Sequence, residues 1–495
     1  MDQVTHETGN TLLSGIQALV HLPLMQSRRD RAAGLRTAGF ITGYRGSPLG
    51  GLDQQLWRAK PLLDEAHVLF SPGVNEDLAA TAVWGTQQVN LLAGAKYDGV
   101  FALWYGKGPG VDRSGDPIKH GNRMGTSPHG GVLLAFGDDH AAKSSTVAHQ
   151  SEQALAANGV PVLYPATVQE ILDLGLYGWA LSRFAGVWVG LKCVNETVET
   201  TATACVDHER VRIRLPEGIE LPKDGVHARL AFDPVGDDIR LTRYRLPLAQ
   251  AFVHANGLDR IVIDPPVRRL GIVSAGKSFL DVMHALRLLG LGATQAAALG
   301  IGVYKPAMIW PLEPSGLRAF ARGYAELLFV EEKLAFMEPQ AAHILYNLPA
   351  QERPRLSGKT DPQGSFLLPA DVLLEPIEIA RVVGRRLVAL GVANEALEHR
   401  LRAIENTLQA RRVSVLPTVR TPYFCSGCPH NISTKVPDGS LALSGIGCHT
   451  LAIGMNRNTL PPTHMGGEGM TWAGMAPFTK LEHVFQNLGD GTYFH

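Results

Sequence analysis

Short runs of consecutive apolar residues, each followed by a helical repeat or a glycine turn, constrain this chain more than any other feature. Ala38-Gly39-Phe40-Ile41-Thr42, Val100-Phe101-Ala102-Leu103-Trp104, Val132-Leu133-Leu134-Ala135-Phe136 and Val187-Trp188-Val189-Gly190-Leu191 are such runs. A strand that is apolar at every position is covered on both faces, the habit of parallel sheets with helices on either side. Thr167-Val168-Gln169-Glu170 has the spacing of a capping box and predicts a helix over Ile171–Ser182. The fold class expected is α/β, multi-domain, with parallel sheets flanked by helices.

The same punctuation divides the chain. Residues 1–210 read as a first α/β domain. Residues 211–265, rich in Pro, Arg and Asp and weak in periodicity, read as a connecting segment. A second α/β domain, 266–394, opens with a strand and glycine turn at Arg269–Gly276 and a helix over Ser278–Leu289. Met308-Ile309-Trp310 and Leu327-Leu328-Phe329-Val330 read as its further strands, and Ile379–Val383 belongs to its closing helix. Residues 395–420 form a linker with a charged helix, Glu395–Arg412. Residues 421–495 are dense in Gly, Met and Cys and break off at Gly489-Asp490-Gly491-Thr492-Tyr493-Phe494-His495, just after a strand pattern. That segment reads as the start of a domain whose remaining sheet lies beyond this chain.

Charge excludes one class of partner. Lys and Arg number 46 and Asp and Glu number 46, so no overall field draws the chain to nucleic acid. The start, Met1–Glu7, lacks the basic and apolar pattern of a secretory signal, and no apolar stretch is long enough to span a bilayer, so a cytoplasmic location is expected. Five cysteines, Cys193, Cys205, Cys425, Cys428 and Cys448, are too few and too uneven for a disulfide scaffold.

Four patterns carry chemistry. Phe424-Cys425-Ser426-Gly427-Cys428-Pro429-His430 followed by Gly445-Ile446-Gly447-Cys448-His449 is C-x2-C-x19-C. Thiolates spaced in this way suit a [4Fe–4S] cluster or a zinc ion with a histidine, and spacing leaves the two equally open. Gly489-Asp490-Gly491 has a hard oxygen ligand for Mg²⁺ between two glycines that let backbone approach a diphosphate, though an ordinary Asp-Gly turn is the commoner source of such a tripeptide. Asn75 reads as a helix N-cap with Glu76 in the first turn. Acids there complement the helix dipole, and on the residues alone that plain reading outweighs a carboxylate aimed at a heterocycle nitrogen. Thr42-Gly43-Tyr44-Arg45-Gly46-Ser47-Pro48 is a glycine loop in which Arg45 could clamp a carboxylate, or else a simple strand-to-helix turn. It lacks the dinucleotide fingerprint G-x-G-x-x-G.

Taken in order, these segments resemble the 2-oxoacid:ferredoxin oxidoreductases, most of all the fused bacterial indolepyruvate:ferredoxin oxidoreductases. The residues that carry the resemblance are Ile41–Pro48, Gly73–Glu76, Phe136–Asp139 with Ser144-Ser145, Phe424–Asn431, Gly445–His449 and Gly489–Thr492. The resemblance implies a thiamine-diphosphate-binding fold. It makes 1–210 the pyrimidine-binding domain, 266–394 a transketolase C-terminal-like domain and 421–495 the truncated start of the diphosphate-binding domain. Its implied activity is oxidative decarboxylation of aryl pyruvates to acyl-CoA, with electrons passing through an iron–sulfur cluster to ferredoxin. By the same token Glu76 is the catalytic glutamate at the aminopyrimidine N1′, and Arg45 a substrate-carboxylate contact. Gly489, Asp490 and Gly491 hold the cofactor with Asp490 on Mg²⁺, and Cys425, Cys428 and Cys448 hold the [4Fe–4S] cluster. A homodimer and a missing C-terminal half or separate subunit are implied too. The metal-motif Asn expected downstream of Asp490, and a fourth cysteine ligand, have no counterpart. A branched-chain 2-oxoacid enzyme, a non-oxidative decarboxylase, or an inactive fragment or metal-stabilised binding module are the alternatives.

Overall fold

A computed structural model describes residues 8–413 and 421–495, so the expectations for Met1–Glu7 and for 414–420 of the linker lie outside the described residues. The described chain forms two compact units that meet at Arg411/Arg412. Each is described by itself.

In the first unit the apolar runs become one seven-stranded sheet. Its strand order is Met308–Trp310, Val162–Leu163, Val189–Val194, Val132–Asp138, Val100–Lys107, Ala38–Gly43 and Val68–Phe70. Every neighbouring pair is parallel except Met308–Trp310, which runs antiparallel to Val162–Leu163. The two-residue side-chain period divides the strand Val100–Lys107 between two cores. Phe101, Leu103 and Tyr105 pack with the helices Gly15–Ala32 and Val168–Ala185. Ala102 and Trp104 pack on the opposite face with Ala79, Val83 and Ile118.

Local signals start the two covering helices. Ser14 Oγ accepts from Gln17 N at 3.2 Å while Gln17 Oε1 accepts from Ser14 N at 2.8 Å, a reciprocal capping box. At the second helix Thr167 Oγ1 accepts from Glu170 N at 3.2 Å, but the Glu170 carboxylate takes Ala166 N at 2.8 Å in place of its own cap residue. The helices sit close because Gly175 has no side chain. A Cβ there would stand 2.3 Å from Leu22 Cδ2.

A second sheet of five strands follows in the order Arg355–Ser357, Glu326–Phe329, Leu270–Val273, Ile301–Lys305 and Arg260–Ile263, all parallel but for the last. Here the structure corrects one expectation. Met308–Trp310 is a strand, but it joins the first sheet and not its own. Residue pattern predicts extension; only packing selects the partner, and Ile309 is buried in the core that also holds Phe136, Val162 and Phe329. The segment read as connecting contains regular structure. Residues 234–255 are helical, with one π-helical turn at Leu241–Arg245. One of its arginines has a structural role. Arg245, fully buried, donates to the carbonyl oxygens of Asn122, Arg123 and Met124, which end the helix Gly115–Met124, and to that of Val226. Helix C-termini leave such carbonyls without intrahelical partners. Burial pulls the Arg245 guanidinium down to about 9.

The second unit holds a small parallel sheet, Thr459–Leu460, Ala442–Leu443 and Phe485–Gln486, joined by short helices and turns. Among the described residues no helix is long and apolar enough to cross a membrane.

One buried ion pair ties the second sheet to its covering helix Pro376–Ala389. Arg386 grips Glu326 with two bonds of 2.7 and 2.6 Å, and Ser357 Oγ donates to the same carboxylate at 2.7 Å. Glu326 is 0% exposed. Arg386→Leu leaves that charge in apolar surroundings, where removing one partner of a buried pair costs about 3–5 kcal/mol. Urea unfolding is expected to show that loss, and Arg385→Leu, at an exposed pair with Glu405, less than about 1 kcal/mol.

Candidate functional site

The carboxyl ends of the parallel strands collect the polar groups of the first unit. Ser71 N and Gly73 N donate to Ile41 O and Gly43 O, so the chain leaving Val68–Phe70 runs alongside the glycine loop that carries Arg45. It then turns into the helix Glu76–Thr86. Asn75 caps that helix as expected, its side chain accepting from Leu78 N at 3.0 Å. Glu76 is only 5% exposed. Its backbone carbonyl accepts from Trp104 Nε1 at 3.0 Å, which pins the first turn to the sheet. Its side chain lies on Gly110, in the short helix Gly108–Arg113 that follows the strand Val100–Lys107. A Cβ at Gly110 would stand 2.6 Å from Glu76 Cγ and 2.7 Å from Oε1. A carboxylate placed in this way is not the solvated first-turn acid that composition alone favours.

Cations flank it. The Lys107 ammonium is pulled below its usual value by burial, while Asp139 and Glu76 work in the other direction. Arg45 is exposed on its loop, near enough to the Tyr105 phenol for its charge to act there. Burial first, and then Asp53, push that phenol well above its ordinary range.

Three strands along, a cavity of about 230 Å³ opens between Ser47-Pro48, Asp138–His140 and Asn195-Glu196. Asp138, in its lining, belongs to a buried charge cluster that the sequence reading passed over. Lys192, in the middle of an apolar strand, lies 2.6 Å from Glu152 and 3.3 Å from Asp138. Asp138 also accepts from Ser151 Oγ at 2.5 Å and from Ser151 N at 2.9 Å. All three ionisable groups are buried. Burial alone would raise Asp138, but Lys192, His140 and Ser151 together hold it below the usual carboxylate range. Burial raises Glu152, with Lys192 opposing and Asp138 adding to the rise. His140 is pushed down to about 3 by burial and then by Lys192, so its ring is neutral at physiological pH. A lysine inside the run Val189-Gly190-Leu191-Lys192-Cys193 was the available signal. A buried ammonium requires carboxylate partners, but nothing in the spacing says which.

In the second unit Gly489 caps the short helix Asp490–Phe494, with Gly491 in its first turn and Asp490 exposed. Around that turn the carboxyl ends of two adjacent strands present buried polar atoms without hydrogen-bond partners: Ser444 Oγ, Asn487 Nδ2 and, from the following turn, His449 Nε2. Glycine-edged backbone with unclaimed donors suits a diphosphate, so the residues present fit that part of a thiamine cofactor.

The cysteines are arranged differently. Cys428 N donates to Cys425 O in a tight turn, and Cys428 Sγ lies 3.2 Å from His430 Nδ1. The ring of His430 stacks between Phe424 and His449, the neighbour of Cys448. The two cysteine segments are therefore adjacent, but among the described residues no three His, Cys, Asp or Glu side chains are grouped to hold a metal ion. As placed, they do not fit a cluster.

Comparison with known proteins extends these observations. Residues 255–411 match the family described as the indolepyruvate oxidoreductase domain. The chain is 24% identical over 490 residues to the indolepyruvate oxidoreductase subunit IorA of Methanothermobacter marburgensis, covering 94% of this chain and 69% of that subunit. The Pyrococcus abyssi IorA subunit is 22% identical, with 98% and 70% covered. In three dimensions the chain is similar to the 2-oxoglutarate:ferredoxin oxidoreductase of Magnetococcus marinus, with a TM-score of 0.55 and 15% identity over 77% of this chain and 65% of that one. The expected multi-domain α/β fold, with parallel sheets flanked by helices, is the one observed. The resemblance carried by the motifs is thus borne out: the chain is similar over nearly its whole length to the IorA subunits of indolepyruvate oxidoreductases, and its residues 255–411 carry the domain named for that enzyme.

Proposed function

We propose that this chain is the cofactor-binding part of a 2-oxoacid:ferredoxin oxidoreductase that decarboxylates aryl pyruvates such as indolepyruvate. The observation that carries the reading is the burial of Glu76 at a helix start, seated on a glycine at the carboxyl edge of a parallel sheet. Ligands of α/β sheets bind at that edge. Thiamine diphosphate, when bound, supplies an electron sink for loss of CO₂ from a 2-oxoacid.

The chain's own residues have separable roles in this reading. Glu76 shares a proton with a ring nitrogen of the aminopyrimidine, and its burial keeps water from competing for that proton. Gly110 leaves room for the carboxylate, and Trp104 fixes the helix that carries it. Arg45, exposed on the neighbouring loop, meets the substrate carboxylate. Gly489, Asp490 and Gly491 hold the diphosphate end, with Asp490 as a Mg²⁺ ligand. In the proposed arrangement residues 1–210 bind the pyrimidine and 421–495 begin the diphosphate-binding domain, and the protein works in the cytoplasm. Coenzyme A takes the acyl group and ferredoxin the electrons, with the partner subunit that the name of its relatives implies. The cysteines as placed form no closed donor set, so no step is assigned to them.

Two variants and a substrate panel test the proposal, using the full chain purified anaerobically with its partner subunit and assayed with a viologen dye. Glu76→Gln is expected to lower turnover of indolepyruvate about 10²–10⁴-fold, the usual weight of a positioned proton-transfer group. Unchanged turnover would overturn the assignment, and faster oxidation of 2-oxoisovalerate than of indolepyruvate or phenylpyruvate would overturn the substrate class. Gly110→Ala forces the Glu76 carboxylate out of its seat and is expected to cut turnover at least about tenfold, since about 1.4 kcal/mol of lost transition-state stabilisation is a factor of ten. Full activity in Gly110→Ala would show that the seat is not needed.

A further inference from the structure

The amino edge of the seven-stranded sheet holds a second cavity, of about 520 Å³. Leu35, just before the strand Ala38–Gly43, and His129, just before Val132–Asp138, stand at its mouth. Glu76, Arg45 and Asp138 are at the other ends of these strands or their neighbours. At about 3.3 Å of rise per residue, six or seven residues of strand separate the two edges by about 20 Å. A ligand here cannot reach the proposed reacting site.

The cavity lies between the helices Gly15–Ala32 and Val168–Ala185 and the chain at 213–227 that crosses them. Its wall is apolar, with Ala180, Phe184 and Val226. On its lip Leu215 and Leu221 are 60% and 51% exposed, which is unfavourable unless something covers them. A largely apolar space of a few hundred Å³ with a few placed polar groups is the ordinary form of a small-molecule site.

The charges say what kind of molecule. Asp30 is taken on every side. Arg183 binds it through two bonds of 2.6 and 2.7 Å, Gln26 Nε2 donates at 2.8 Å and Thr37 Oγ1 at 2.7 Å. Arg29, its neighbour, donates through Nη1 to neutral backbone oxygens, His208 O and Val211 O, both at 2.7 Å. Burial lowers the Arg29 guanidinium first, and Arg183 adds to the fall. Asp30 opposes it, and the exposed Glu209 does so more weakly. Two guanidiniums thus face one saturated carboxylate beside an apolar hollow. His227, whose Nε2 donates to Arg183 O at 2.7 Å, is lowered by burial, and its ring lines the cavity together with that of Phe184.

We propose that this cavity is a second ligand site, for an aromatic monocarboxylate. The aromatic body lies against Phe184 and under Leu215 and Leu221, and the carboxylate meets Arg29. The site goes beyond the proposed reaction and does not depend on it.

Calorimetry on the full chain tests this with indole-3-acetate, indole-3-acetamide and decanoate as probes. Indole-3-acetate is expected to bind saturably, at least tenfold more tightly than its amide. Ala180→Trp, which fills the cavity, is expected to weaken it at least tenfold with an unchanged melting temperature. Arg29→Gln should abolish the preference for acid over amide, and Arg29→Lys should restore it. Arg45→Ala should leave binding unchanged. Loss of binding in Arg45→Ala would place the probe at the carboxyl edge and overturn the proposal without touching the proposed reaction. Equal binding of acid and amide, tighter binding of decanoate, or no saturable binding at millimolar probe would each overturn it as well.

Discussion

A parallel sheet covered on both faces can show polar groups only at the ends of its strands. That constraint organises the first unit. Phe101, Leu103 and Tyr105 go to one core and Ala102 and Trp104 to the other, so the strand between them has no solvent face. What the chain has to offer chemically is therefore gathered where the strands stop: Arg45, Glu76, Lys107 and Asp138 at the carboxyl edge, and Arg29 and Arg183 beyond the amino edge. Two separate polar environments on one sheet are a consequence of its being dry in the middle.

The exception sharpens the rule. Lys192 lies within the strand Val189–Val194 with its ammonium buried, and Glu152 and Asp138 meet it there. Replacing such a cluster by apolar residues of equal volume is often neutral or stabilising, so its presence is weak evidence for stability. What it does change is the surroundings. It helps hold His140 neutral and keeps Asp138 ionised at the edge of a polar cavity. The cluster therefore sets the electrostatics of the lining that a ligand at the carboxyl edge would meet.

The two sheets of the first unit are joined by more than a linker. Met308–Trp310 leaves its own sheet to close the edge of the other, and the aromatic and aliphatic residues of both share one core. The segment between them contributes Arg245, whose guanidinium ends a helix of the first layer. A change in either layer is thus felt by the other through packed side chains, which are close-packed and yield little.

Much of this was legible in the residues. The runs at 100–104 and 132–136, the helix after Thr167 and the cap at Asn75 depend on nearest-neighbour chemistry, and each is where the local pattern put it. The order of the glycine, acid and cysteine motifs also pointed to a family that the comparisons bear out. What needed the tertiary structure was every long-range choice of partner. Residue types could not say that Glu76 would lie on Gly110, that Lys192 would find Glu152 forty residues away, or that Met308–Trp310 would cross to another sheet. Backbone propensity acts over a turn or a strand, and so it is written in the sequence. Burial acts between surfaces that meet only once the chain has folded, and that is why the seat of a carboxylate and the charge of a cavity wall were decided there.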